Sequence, residues 1–175
     1  MKPIFIIGYM GCGKTTFGKA LSAATGIPFI DLDFYIEQRY HATIRELFDR
    51  YGEEGFRKIE REMLHEVADF NDTIISCGGG TPCFFDNMEH MNLHGTTLWL
   101  RADNETLFSR LIRKREKRPL IAGRTDEEIR EIIATQLEKR EPFYSMAGII
   151  WKGDSLEDKR QINENISKFI EEHPF

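Results

Sequence analysis

Gly8-Tyr9-Met10-Gly11-Cys12-Gly13-Lys14-Thr15 satisfies the pattern G-x-x-x-x-G-K-[ST] at every fixed position. Each fixed residue has a physical task. The glycines let the backbone curl with its N–H groups inward, making a concave nest for anions. Lys14 reaches the β- and γ-phosphates of a nucleotide, and Thr15 offers a hydroxyl to a magnesium ion. The helix that follows adds the positive end of its dipole. The surroundings agree with this reading. Ile4-Phe5-Ile6-Ile7 has the character of a buried parallel strand, and 16–25 that of a helix with Phe17, Ala20, Leu21 and Ala24 on one face. Strand, glycine loop and helix in this order predict a protein that binds a nucleoside triphosphate.

The rest of the composition narrows the setting. A chain of 175 residues is read as one domain with room for a substantial core. A net charge of −5 argues against broad binding to nucleic acid or to an anionic membrane. No apolar run approaches a membrane span, and the first strand begins too early to leave room for a signal peptide. Cys12, Cys77 and Cys83 lack paired metal spacing and read as reduced thiols of a cytoplasmic protein. His90 and His94 lie four apart without an acidic partner pattern, which favours a solvated helix face over a metal site.

Strand-like runs at 3–7, 28–31, 73–77, 96–100 and 148–151 alternate with helical stretches. That alternation predicts an α/β sandwich around a mostly parallel sheet, with ligands outside the carboxyl ends of the strands. Thr125-Asp126-Glu127-Glu128 is a capping-box pattern, and Asp103 and Ser155 are candidate N-caps. Pro142 is expected to end the helix begun near Thr125. The stretch 110–124 carries Arg110, Arg113, Lys114, Arg115, Lys117, Arg118 and Arg124 around Pro119 and Gly123. A basic loop after a helix reads as a lid over phosphates, with Arg118 directed at them and Lys114 and Lys117 solvated.

Chemistry concentrates at the strand ends. In Phe29-Ile30-Asp31-Leu32-Asp33 the two aspartates are spaced to face one side of a strand. Asp31 would complete a magnesium site with Thr15, because Thr73-Ile74-Ile75-Ser76-Cys77 lacks a carboxylate for that purpose. Asp33 is then free to orient or deprotonate an acceptor hydroxyl, although one aspartate of the pair could serve as an N-cap. Gly78-Gly79-Gly80 permits close approach of backbone to a small ligand, or else a tight turn. Arg57 and Glu60 share a helix face, and Phe56, Ile59, Met63 and Val67 read as core. Arg57 with Arg140 would suit a carboxylate held in bidentate fashion. A surface ion pair and a helix-end arginine fit the spacing equally well.

The ordered set of motifs resembles the shikimate kinase family. It comprises residues 8–15, Asp31-x-Asp33, Ile36-Glu37, Gly52-Glu53 with Phe56-Arg57 and Glu60, and Gly78-Gly79-Gly80. Arg118-Pro119-Leu120 and Arg140-x-Pro142-x-Tyr144 with Ala147 complete it. The resemblance implies a nucleoside-monophosphate-kinase-like P-loop fold, a three-layer α/β sandwich whose five-stranded parallel sheet has order 2-3-1-4-5. It implies transfer of the ATP γ-phosphoryl group to the 3-hydroxyl of shikimate, on the route to chorismate and the aromatic amino acids. It further implies ATP binding by Gly11, Cys12, Gly13, Lys14, Thr15, Thr16, Arg110 and Arg118, with Mg2+ at Thr15 and Asp31. Asp33, Arg57, Gly79, Gly80 and Arg140 would bind shikimate, and Asp33, Lys14 and Arg118 would carry the chemistry. By the same resemblance 33–61 is the substrate-binding segment, 114–125 the lid, and the protein a cytoplasmic monomer. Two departures stand out: His41 replaces a glycine common among relatives, and the adenine-facing loop after Trp151 lacks a strong match.

Three rivals remain at this stage. Another small-molecule kinase, such as a gluconate or nucleoside monophosphate kinase, would share the phosphate loop. A GTP-driven switch is disfavoured, because Asp49-Arg50-Tyr51-Gly52 falls in a predicted helix and no Asn-Lys-x-Asp signature occurs. A non-catalytic ATP-binding module would require loss of a catalytic group, and Lys14, Asp31, Asp33 and Arg118 are all present.

Overall fold

In the computed structural model, which describes residues 1–113, 115 and 120–174, the apolar run at the N-terminus is the innermost strand. This β1 (Ile4–Ile7) is buried at all four positions, as a strand covered on both faces must be. Around it lie β2 (Phe29–Asp31), β3 (Ile74–Ser76), β4 (Thr96–Arg101) and β5 (Ile149–Lys152). All pairings are parallel and the order is β2-β3-β1-β4-β5, as the resemblance implied. The register aligns Asp31, Ser76, Ile6 and Leu98 in one row. The loops leaving β1, β2 and β3 therefore emerge side by side at one edge. Each expected strand is present, with ends displaced by a residue.

Between the strands run α1 (Lys14–Thr25), α2 (Leu32–Tyr40), α3 (Ile44–Ala68), α4 (Asn87–His94), α5 (Asn104–Ile112), α6 (Asp126–Tyr144) and α7 (Lys159–Glu172). Phe17 of α1 meets Phe169 of α7 edge-on at 5.2 Å, and Trp151 of β5 packs on the same ring at 5.2 Å. Phe56, Ile59, Met63 and Val67 are core residues of α3, as their spacing predicts. The helix breaks at Gly52 (φ 67°, ψ −179°), so the Asp49–Gly52 sequence lies within α3 and follows no strand. His41 adopts a left-handed conformation (φ 50°) at the end of α2, the shape for which a glycine would ordinarily be chosen.

Three expectations need correction. Pro142 does not end α6, which continues to Tyr144. A proline in the last turn removes one hydrogen bond, and the ladder resumes where Ser145 N donates to Glu141 O at 2.8 Å. Ser155 caps no helix. Asp158 does, accepting from Gln161 N at 2.9 Å, because 153–157 is held as a loop by a distant arginine described below. Thr125 and Asp103 cap α6 and α5 as expected.

The third correction concerns the histidines. His90 and His94 are half-buried, and they form a column with His65 of α3. The His65 and His90 rings stack at 3.6 Å and the His90 and His94 rings at 4.0 Å. The Nε2 atoms of His65 and His90 are buried with no hydrogen-bond partner among the described residues. Burial pushes both groups below the usual histidine pKa; Arg61 adds to this at His65 and neighbouring imidazoles at both, while Asp86 and Asp69 oppose it. Neutral rings in the fold and a value near 6.5 in the unfolded chain give a definite sign. Stability is full above about pH 6.5 and is lost as pH falls through that value toward the lowered ones. His90→Phe keeps a stacked ring without a proton site. In urea titrations its unfolding free energy should fall less between about pH 6.5 and 5 than that of the parent; an equal fall would exclude the column as the cause.

Candidate active site

The loop between β1 and α1 is the anion nest that its glycines predict. Gly8, Gly11 and Gly13 all have positive φ (142°, 85° and 104°), which side chains with a Cβ rarely adopt. Gly13 precedes α1 without a side-chain cap, and the first turn contains no acidic residue, so that helix end presents positive potential. Lys14 folds back along the loop, its Nζ donating to Gly8 O at 2.8 Å and Tyr9 O at 3.0 Å. Gly11, Gly13, Lys14, Thr15 and Thr16 line a cavity of about 450 Å³, together with Asp31, Asp33, Gly78 and Gly79. Cys12 is buried and does not line it; its N–H donates to Tyr9 O at 3.2 Å.

Arg110, at the end of α5, ties this loop to the one after β5. Its Nη1 donates to Gly153 O at 2.9 Å, Cys12 O at 3.2 Å and Gly11 O at 3.4 Å. Its Nη2 donates to Asp154 O at 2.8 Å and its Nε to Glu157 at 2.6 Å. Arg113 shares Glu157 at 2.7 Å. These two arginines, Leu156 and Glu157 also border the cavity. Arg113, Leu156 and Glu157 carry no local sequence signal for this, since the contacts span more than 40 residues.

The two aspartates reach the cavity by a different route from the one their spacing suggests. β2 ends at Asp31, and Asp33 belongs to the first turn of α2, so strand alternation does not align them. Asp31 serves twice: Oδ2 accepts from Thr15 Oγ1 at 3.1 Å, and Oδ1 caps α2 by accepting from Phe34 N at 3.4 Å. Asp33 is raised from the ordinary carboxylate value to about 6. Burial is the main cause, followed by the negative charges of Glu60 and Asp31, while Lys14 and Arg57 pull it down.

Gly78-Gly79-Gly80 makes a tight turn, with Thr81 N donating to Gly78 O at 3.1 Å and Cys83 N to Gly80 O at 2.9 Å. It also meets both arginines that spacing left undecided. A Cβ at Gly80 would lie 2.7 Å from Arg57 Nη2, and one at Gly79 would lie 3.2 Å from Arg140 Nη1. Arg57 is not a surface ion pair: its Nη1 donates at 2.7 Å to Glu60, of which only 1% is exposed. Arg140 lies over the Tyr9 ring, and Tyr144 of the same helix donates its hydroxyl to Gly79 O. Arg57, Gly80 and Arg140 are outside the lining of the nucleotide-sized cavity and adjoin it through Gly78 and Gly79. Arg118, Lys114 and Lys117 lie outside the described residues, as does Pro119.

A profile of the shikimate kinase family matches residues 10–171. The chain belongs to the shikimate kinase family. A shikimate kinase of Phocaeicola vulgatus is 54% identical over 166 residues, covering 95% of each chain. The solved shikimate kinase of Bacteroides thetaiotaomicron superposes with a TM-score of 0.96 at 49% identity, covering 99% of both chains. The enzyme from Acinetobacter baumannii, solved in complex with shikimate, gives 0.82 at 28% identity, over 98% of this chain and 92% of that one. Shikimate kinases are ATP-dependent kinases.

If Arg110 shapes the nucleotide side by joining two loops, its removal should be felt there first. Arg110→Leu should weaken binding of a non-hydrolysable ATP analogue by about 1.5–3 kcal/mol, roughly ten- to a hundredfold, the scale of a lost charged hydrogen bond. Titration calorimetry measures this directly, and parental affinity in the variant would contradict the role.

Proposed function

We infer that this protein transfers the γ-phosphoryl group of ATP to the 3-hydroxyl of shikimate, giving shikimate 3-phosphate and ADP, the reaction of its family. The observation that carries the reading is the joining of two unlike half-sites across one glycine turn. On one side lies a nest for phosphates, on the other a pair of guanidinium groups at Gly79 and Gly80 suited to a carboxylate, with Asp33 between them. A compact acid bearing hydroxyls, held by the arginines, would present an oxygen toward the phosphates.

The chemistry follows from that arrangement. Asp33 accepts the proton of the acceptor hydroxyl as its oxygen bonds to the γ-phosphorus. The bond from that phosphorus to the β,γ-bridging oxygen breaks, and the electron pair leaves with ADP. Lys14 exchanges its contacts with Gly8 O and Tyr9 O for phosphate oxygens and offsets their charge. Arg118, placed by sequence in the lid segment 114–125, would add a second cation, and 33–61 would form the acceptor side. Thr15 Oγ1, in the first turn of α1, and Asp31 Oδ2, at the end of β2, are two hard oxygen donors directed at each other, a pair that fits Mg2+. Bound there with ATP, the ion would screen phosphate charge. By the family resemblance the enzyme would act as a monomer in the cytoplasm, a reducing compartment that its three free thiols suit.

The deciding experiment presents the purified protein and ATP with shikimate, gluconate and nucleoside monophosphates in parallel. Shikimate alone should be phosphorylated; product from either of the others instead would transfer the reading to a different kinase. Asp33→Asn should lower turnover by at least about a hundredfold while leaving ATP affinity within about twofold. A variant that turns over normally removes Asp33 from the mechanism. Because Asp33 must be unprotonated to accept, and its pKa stands at about 6, the parental rate should drop roughly tenfold per pH unit below that point. A flat profile down to pH 5 would contradict the assignment.

A further inference from the structure

The segment that follows the triple glycine is built around Arg57 in a way that neither the motif set nor the cavity lining reveals. Thr81–Cys83 is a single 3-10 turn, and Phe84 leaves it in extended conformation. Thr81 is fully buried and its hydroxyl donates at 2.6 Å to Glu60 Oε1. Glu60 Oε2 accepts from Arg57 Nη1 at 2.7 Å. One buried carboxylate thus stands between a hydroxyl and a guanidinium, each holding one oxygen. Thr81 is pinned in turn, since its carbonyl accepts from the buried Asn87 Nδ2 at 2.8 Å.

The guanidinium has few other polar restraints. Its Nε is buried with no hydrogen-bond partner among the described residues, and Glu53 stands off at 3.7 Å on the exposed side. Aromatic rings supply the rest. Arg57 Cζ lies 4.1 Å from the centre of the Phe84 ring, against 5.4 Å for Phe56 and 5.8 Å for Phe48. Phe56 and Phe48 stack on each other at 4.2 Å, so Phe84 is the ring committed to the cation. A planar cation covered on one face and tied at one nitrogen is fixed in tilt and in rotation, and its remaining edge is offered in one orientation.

We propose that Thr81 and Phe84 are positioning residues for substrate recognition: Thr81 locks Glu60, Phe84 covers the Arg57 guanidinium, and together they set the angle at which Arg57 meets the acceptor's carboxylate. The proposal rests on the reading of Arg57 as an acceptor-binding group. Neither side chain lines the cavity of the phosphate loop, so the effect of altering them falls on one substrate.

Four variants and two substrates test this. Thr81→Val keeps shape but leaves one Glu60 oxygen unpaired, and should raise the KM for shikimate about ten- to a hundredfold. Thr81→Ser restores the donor and should return KM to within about threefold of the parent. Phe84→Leu keeps apolar volume without a π face and should raise KM about three- to thirtyfold, whereas Phe84→Tyr retains the face and should not. In every case the KM for ATP should stay within about twofold and kcat at saturation within about threefold. Parental KM for shikimate in both Thr81→Val and Phe84→Leu overturns the proposal, as does an equal rise in both KM values. Should Thr81→Val fail to fold, the half-buried Phe84 pair decides alone. Calorimetric titration of shikimate into the parent separates the two levels of inference. No binding there overturns the functional reading and this proposal together; normal binding with unaffected variants overturns this proposal only.

Discussion

Glu60 holds a carboxylate at a depth where 1% of the residue meets solvent, and an anion there persists only if both its oxygens are paired. Much of the surrounding architecture meets that requirement. Arg57, one turn earlier in α3, pairs one oxygen and Thr81 the other, which draws the turn after β3 against α3. The approach is close: a Cβ at Gly80 would lie 2.7 Å from Arg57 Nη2 and displace the guanidinium, and one at Gly78 would crowd Thr81, Asp33 and Glu60 at 3.0, 3.1 and 3.3 Å. The triple glycine is therefore a consequence of the buried charge as much as a platform for ligand. Breaking such a pair leaves an uncompensated buried ion, a cost of about 3–5 kcal/mol, so the segment is held firmly against α3.

The nucleotide side is organised on another principle. Lys14 is poised on the phosphate loop, whereas Arg110 and Arg113 are both paired with Glu157. Lys14 rests on two neutral carbonyls, which a phosphate can displace without breaking an ion pair. Arg110 directs most of its donors at the carbonyls of Gly11, Cys12, Gly153 and Asp154, turning those backbone dipoles toward itself. The sheet makes this possible. Parallel strands in register deliver β1, β2 and β3 to one edge, so the phosphate nest, Asp31 and the glycine turn become neighbours without any contact between their helices being needed.

What could be read from the sequence tracks the range of the interaction. The strands, α1 and the Thr125 capping box are local patterns, and each appears within two residues of expectation, whereas the Thr43 capping box of α3 was not anticipated. Asp31 and Asp33 were legible as site residues, yet the geometry assumed for them was a strand, whereas Asp31 itself starts a helix and carries Asp33 into it. The ambiguity of Arg57 and Arg140 could not be lifted by spacing, because what aims them is a turn at residues 78–80, far from either. Leu156, Glu157, Thr81 and Phe84 stayed silent for the same reason. The histidine column misled in the opposite sense: an i, i+4 pair on α4 looks solvated until His65 arrives from α3.

Asp33 is where the two sides become one site. Its proton affinity is raised by burial, Glu60 and Asp31, and lowered by Lys14 and Arg57, one cation from each half. Phosphate oxygens on Lys14 and a carboxylate on Arg57 would each cancel one of the lowering influences. On the nucleotide side, a magnesium ion bound at Asp31 with ATP would act against the loss of Lys14, since it adds positive charge beside Asp33 and cancels the influence of Asp31. The acceptor side has no such offset, so a carboxylate drawn to Arg57 would strengthen Asp33 as a base where an acceptor hydroxyl lies against it. Burial and the two nearby carboxylates already place Asp33 at about 6 in the empty site, more basic than a solvated carboxylate yet largely unprotonated at neutral pH.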